Sequence, residues 1–163
     1  MANPALKMEF SKNAIESQER QPPANTMDIL MFVLIIEDKQ DIDSKLVKYL
    51  ETKGHSVDVV GAELLSKYLA LVGQYDAIVL DVSKLEDSNV LCRKLREKGC
   101  NLTPIMMVSP CGSVDDEIAA IVAGADDFLV KPLALSEIEA RLRVLFRLNL
   151  GKKMNRRRDL LSI

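Results

Sequence analysis

The chain has 163 residues, enough for one domain with its own core and short for two. Hydrophobic side chains make up 48% and charged ones 28%, with a formal net charge of −2, the profile of an ordinary soluble globular protein. No apolar stretch approaches the roughly 18 residues of a membrane helix, and the N-terminus lacks the apolar core of a secretory signal. Three cysteines (Cys92, Cys100 and Cys111) and one histidine (His55) offer no zinc-ligand spacing, so they read as thiols of a reducing cytoplasm, with Cys111 the one to watch.

Residues 1–27 hold Gln, Asn, Ser and Pro, with no sustained apolar periodicity, and read as a flexible N-terminal extension. Met27, directly before the first strand, is an alternative start. Over residues 28–149, strand-like and helix-like segments alternate. Residues 32–36 form the first strand, and Ile42, Leu46, Tyr49 and Leu50 predict an amphipathic helix stopping near Gly54. Residues 55–60 predict a short second strand near the sheet edge. Leu64, Leu65, Tyr68, Leu69 and Leu71 predict a second helix before Gly73, leading into a third strand at 77–80. Val90, Leu91 and Leu95 predict a third helix ended by Lys98-Gly99; a fourth strand follows at 105–108. Ile118, Ile121 and Val122 mark a fourth helix, punctuated by Gly124, and residues 128–130 make the fifth strand. Leu135, Ile138, Leu142 and Leu145 predict the last helix. Gly151 breaks that pattern, leaving residues 150–163 as a basic tail or linker stub with Lys152, Lys153, Arg156, Arg157 and Arg158. Such alternation argues for a parallel sheet with helices on both faces.

Four of these strands run into polar residues. Residues 32–36 lead to Glu37 and Asp38, 77–80 to Asp81, 105–108 to Ser109, and 128–130 to Lys131 and Pro132. Near-continuous apolar runs are typical of strands buried on both faces, and ligands of open α/β sheets sit outside the carboxyl ends of the strands. The pattern therefore aims three carboxylates, a hydroxyl and an ammonium at one region.

With these residues in this order, residues 30–148 resemble the receiver domain of bacterial two-component response regulators. The stretches Gly124-Ala125-Asp126-Asp127-Phe128 and Glu137-Ile138-Glu139-Ala140-Arg141 are similar to the subgroup fused to winged-helix transcription factors. The resemblance implies an α/β, flavodoxin-like, doubly wound sheet of five parallel strands in the order 2-1-3-4-5, an order already known for such regulators. It implies that Asp81 accepts phosphate from a histidine kinase, with Ser109 and Lys131 as partners of the phosphoryl group. Crowded carboxylates repel unless a cation sits among them. Mg²⁺ suits such oxygen ligands, and the resemblance implies Glu37, Asp38, Asp81 and the backbone carbonyl of Ser83 as its site. Phe128 matches the aromatic switch position. Any catalysis would be limited to self-phosphorylation from a phosphodonor and slow autodephosphorylation.

In the winged-helix subgroup, the face of the fourth helix, fifth strand and fifth helix pairs symmetrically through salt bridges. Asp127 and Arg141 match one bridge, Glu117 and Glu137 meet with like charges at another, and Val122 with Leu142 stands as an apolar pair at a third. A homodimer on this face is the expectation.

Two departures from the family pattern stand out. The stretch from Asp81 to Ser88 lacks the usual Pro and Gly and is one residue short, and Pro110 follows Ser109 where a small residue is usual. They favour an alternative reading, a phosphorylation-independent pseudo-receiver acting as an interaction or dimerisation module. A nucleotide enzyme of Rossmann type is disfavoured, because no Gly-x-Gly-x-x-Gly follows the first strand. Direct nucleic-acid binding is not expected either: only 14 residues follow Asn149, too few for a winged helix, and no membrane partner is implied.

Overall fold

The computed structural model describes residues 29–38, 44–65, 72–98 and 102–161. The extension expected over residues 1–27, the helical markers Ile42, Tyr68, Leu69 and Leu71, and Cys100 lie outside them. The elements are β1 (Phe32–Glu37), α1 (Ser44–Thr52), β2 (Ser56–Gly61), a 3-10 turn (Ala62–Leu64), β3 (Ala77–Asp81), α2 (Leu85–Glu97), β4 (Ile105–Ser109), α3 (Val114–Ala123), β5 (Asp127–Val130) and α4 (Leu135–Leu161). The fourth and fifth helices of the sequence pattern are thus α3 and α4. All strands pair in parallel, in the order β2-β1-β3-β4-β5, so the doubly wound sheet is as expected.

Strand alternation divides the core in two, because successive side chains point to opposite faces. Phe32, Leu34, Ile36, Ile78, Leu80, Ile105 and Met107 pack on one side with Cys92 and Leu95 of α2 and Ala120 and Ala123 of α3. Val33, Ile35, Val79, Met106 and Val108 pack on the other with Leu46 and Leu50 of α1 and Ile138 and Leu142 of α4. All six residues of β1 and all five of β4 are buried, which accounts for their unbroken apolar runs. Burial pushes the Cys92 thiol up to about 11, so it serves as packing.

Helix α3 differs from what its apolar residues suggest. Ile118, Ile121 and Val122 mark the helix, yet all three face outward; the small Ala120 and Ala123 make the contact with the sheet. Gly124 ends the helix at φ +114°, and a Cβ there would come within 2.8 Å of the Arg96 side chain. That close approach lets Arg96 donate to the carbonyls of Gly124 and Thr103 and to Asp126, which also accepts from the Ile105 N–H.

The expected end of the last helix at Gly151 is corrected: α4 continues for 27 residues to Leu161, about 40 Å. One glycine costs about 1 kcal/mol in a helix interior, and its Leu, Lys, Met and Arg neighbours are good helix formers. Arg158 in the last turn also complements the carbonyl end of the helix dipole. Among the described residues, no helix is long and apolar enough to cross a membrane.

The end of the sheet where the strands begin is braced by buried polar contacts. The Tyr75 hydroxyl donates to Asp58 at 2.5 Å, and its ring stacks on Phe32 at 4.4 Å. His55 Nδ1 accepts the Met31 N–H at 3.0 Å, so the ring proton sits on Nε2 and is donated to Glu139 on α4, also at 3.0 Å. Burial works to raise the Glu139 pKa, but hydrogen bonds from His55 and Arg143 outweigh it and hold the carboxyl below its usual range. A depressed folded pKa adds stability that is complete above the unfolded carboxyl value of about 4.3 and is lost as pH falls through the folded one. Glu139→Gln is therefore expected to lose about 1 kcal/mol near neutral pH. Urea unfolding at stepped pH should also show a shallower acid limb than in the unmodified chain; identical limbs would remove Glu139 from that role.

Candidate functional site

The carboxyl ends of β1 and β3 lie side by side, with Glu37 in direct register with Asp81. Both follow residues of one face, Ile35 and Val79, so strand alternation sends both side chains toward the α1 and α4 layer. Glu37 is only 6% exposed, and Asp38, one residue on, is exposed. Lys131, just past β5, reaches over the end of β4 to Asp81, where Nζ donates to Oδ1 at 2.9 Å and to Oδ2 at 3.0 Å. Its backbone N–H donates to the Ser109 carbonyl at 2.8 Å, so the lysine and the serine are tied at their main chains. The Lys131–Pro132 peptide is cis. A cleft of about 430 Å³ opens beside the pair, walled by Leu46, Val79, Val108, Pro110, Leu133 and Ile138. The pair itself is exposed, so its attraction is screened by solvent.

Asp38 and Ser109 are held by protein partners, while Glu37 Oε1 is buried with no hydrogen bond among the described residues. Ser83 donates to Asp38 twice, from its N–H to Oδ2 at 2.9 Å and from its hydroxyl to Oδ1 at 3.1 Å. The Ser109 hydroxyl donates to the Cys111 carbonyl at 2.5 Å, so at rest it is turned onto its own loop. It does not cap α3: Ser113 does, accepting the Asp116 N–H at 3.2 Å while Asp116 accepts the Ser113 N–H at 2.8 Å. Only Val82, Ser83 and Lys84 separate β3 from α2. Among the described residues, no three acid, histidine or cysteine side chains are grouped to hold a metal ion together. The strand ends are brought together as expected, but the three carboxylates do not share a centre, because Asp38 turns to Ser83 and Asp81 to Lys131.

Phe128 is half-buried and packs against the sheet face that carries α2 and α3. Its ring lies so close under the β4–α3 loop that a Cβ on Gly112 would meet it at 2.7 Å. The loop that starts at Ser109 therefore rests on this aromatic ring with no atom between. Gly112 was missed in the sequence; a glycine three residues past a strand-end serine is its only sequence signal.

On the α3–β5–α4 face, Val122 is 79% exposed and Leu142 is fully buried. Leu142 is thereby corrected from interface to core: it shares the helical phase of Ile138, which packs on the sheet. Arg141 donates to Asp127 at 3.2 Å and to Glu137 at 3.3 Å within one chain. Asp127 first, then Glu137, raises the Arg141 pKa further above neutrality.

Comparison with known proteins agrees with this architecture. The family described as "Response regulator receiver domain" matches residues 33–143. The transcriptional regulatory protein TcrA of Mycobacterium tuberculosis is 39% identical over 116 residues, covering 71% of this chain and 46% of TcrA. The chain spans about half the length of the curated relatives it matches. The Francisella response regulator 1452 receiver domain superposes with a TM-score of 0.63 at 27% identity, over 72% of this chain and 97% of that one. A beryllofluoride-activated NtrC4 receiver domain, solved as a dimer, gives 0.61 at 26% identity over 72% and 97%. A match over most of the described residues, on the same strand order, means that this chain belongs to the response regulator receiver domain family.

Proposed function

We propose that Asp81 accepts a phosphoryl group from a partner histidine kinase in the cytoplasm, and that the α3–β5–α4 face responds to it. The observation that carries this reading is the fork of Lys131 Nζ onto both Asp81 oxygens, at a strand end where Glu37 stands in register. An Asp81 carboxylate oxygen would attack phosphorus, and the bond from phosphorus to the kinase imidazole nitrogen would break, leaving its electron pair on that nitrogen. Lys131 would then move a hydrogen bond from the carboxylate to a phosphoryl oxygen, while Ser109 turns from the Cys111 carbonyl to another.

The donor set is chemically suited to Mg²⁺, which takes one or two carboxylates and other oxygens. Glu37, Asp38, Asp81 and the Ser83 carbonyl would hold it, and when bound it would neutralise charge on the phosphoryl oxygens. Movement of Ser109 releases the loop that rests on Phe128, giving the ring room to follow. Receiver domains can dimerise, and here Ile118, Ile121, Val122, Val130 and Val144 leave apolar surface on the responding face. A symmetric homodimer would cover it, with Asp127 and Arg141 at its edge.

A second reading, a phosphorylation-independent interaction module, is favoured by Pro110 beside Ser109 and by the three-residue link from β3 to α2. One experiment separates the two. After incubation with acetyl phosphate and Mg²⁺, intact-mass analysis is expected to show one added phosphoryl group, which Asp81→Ala abolishes; an unchanged wild-type mass selects the module. For the interface, sedimentation of the phosphorylated chain is expected to show a dimer that Val122→Glu weakens at least tenfold, equivalent to about 1.4 kcal/mol. An unaffected dimer would move the interface elsewhere.

A further inference from the structure

We propose that Ser83 is a latch on the metal site: by holding Asp38, its N–H and hydroxyl set how tightly Mg²⁺ binds. This inference rests on the metal-dependent reading above and concerns this chain's own residues. One residue engages both oxygens of the Asp38 carboxylate, the N–H at 2.9 Å and the hydroxyl at 3.1 Å. The contact spans 45 positions in sequence and joins the ends of β1 and β3, the two strands that carry the acids.

Ser83 has little freedom to withdraw. Val82 before it is 2% exposed and anchored in the core, and α2 begins two residues after it, at Leu85. Glu37 and Asp81 are equally fixed, as paired residues of neighbouring strands. Asp38 lies just beyond the last residue of β1, outside its ladder and exposed. Among the described residues no three acids are grouped for a metal ion, and the Asp38 carboxylate is directed at the two neutral donors of Ser83. By the proposal, a divalent ion draws Asp38 off these donors, so every bond the latch makes subtracts from the apparent affinity. A residue in this position would also supply the carbonyl ligand, so Ser83 would serve the site in both states, by its donors in one and its acceptor in the other.

The expectation is that Ser83→Ala, which removes the hydroxyl bond and keeps the N–H bond, binds Mg²⁺ about three- to tenfold more tightly, the range one net hydrogen bond commands. Ser83→Thr keeps the hydroxyl and should bind as the unmodified chain does. The measurement is calorimetric titration of the full chain with Mg²⁺ and no phosphodonor, with melting curves to confirm that each variant folds. In parallel, the Ser83 amide proton should shift upfield on Mg²⁺ addition as its carboxylate partner departs. Unchanged or weaker affinity in Ser83→Ala, with the unmodified chain still binding Mg²⁺, overturns the latch and leaves the phosphorylation reading intact. No Mg²⁺ binding by either protein overturns both the metal assignment and the latch.

Discussion

The parallel pairing of β1 with β3 is the constraint on which the rest depends. It sets Glu37 opposite Asp81, and it holds because β1 is buried on both faces between β2 and β3. A slip of one residue would exchange the faces of Leu34 and Ile35 and turn the strand-end acid to the wrong layer, which the two-sided core forbids. The Asp81 carboxylate therefore has a fixed position, and Lys131 can find it from a strand two places away. A partly exposed ion pair contributes only about 0.2–1 kcal/mol to stability. Its weight in the design is positional: it holds a cation where negative charge would accumulate.

The two ends of the sheet are built on opposite lines. Where the strands begin, two buried contacts cross the sequence, His55 with Glu139 and Tyr75 with Asp58, and Arg96 adds a more exposed one with Asp126. Where they end, Asp38 rests on Ser83 and Asp81 on Lys131 at exposed positions, and the buried Ser109 rests on the carbonyl of the exposed Cys111. Contacts of the second kind can be exchanged for an incoming ligand without opening the core. A rigid base under an exchangeable rim is what a switch needs, since local stability is unevenly spread and moving parts come from its weaker end.

The apolar surface on the α3–β5–α4 face follows from how α3 packs. With alanines against the sheet, the helix sits close, and its larger apolar residues are left outside. Gly112, with no side chain, lets the β4–α3 loop lie directly on Phe128. In the proposed function, coupling through this contact would need two discrete arrangements of one element, the half-buried ring.

Much of the architecture was legible in the sequence because burial leaves a periodic record. Unbroken apolar runs marked β1, β3 and β4, helical spacing marked α1 and α4, and the polar residues at strand ends marked where a site would form. The errors came where periodicity carries no record of what an element packs against. Leu142 was counted for a surface that its helical phase denies it, and Gly151 was taken for an end that strong helix formers carried α4 through. The sequence by itself determined the alternation of strands and helices and the order of the strand-end groups, since these depend on residue type and spacing, and its resemblance to receiver domains supplied the strand order and the family. Only the tertiary structure decided which partner each polar group takes. Asp38 chooses Ser83 and Glu139 chooses His55 because chain closure brings together residues 45 and 84 positions apart, and no local pattern encodes such a meeting.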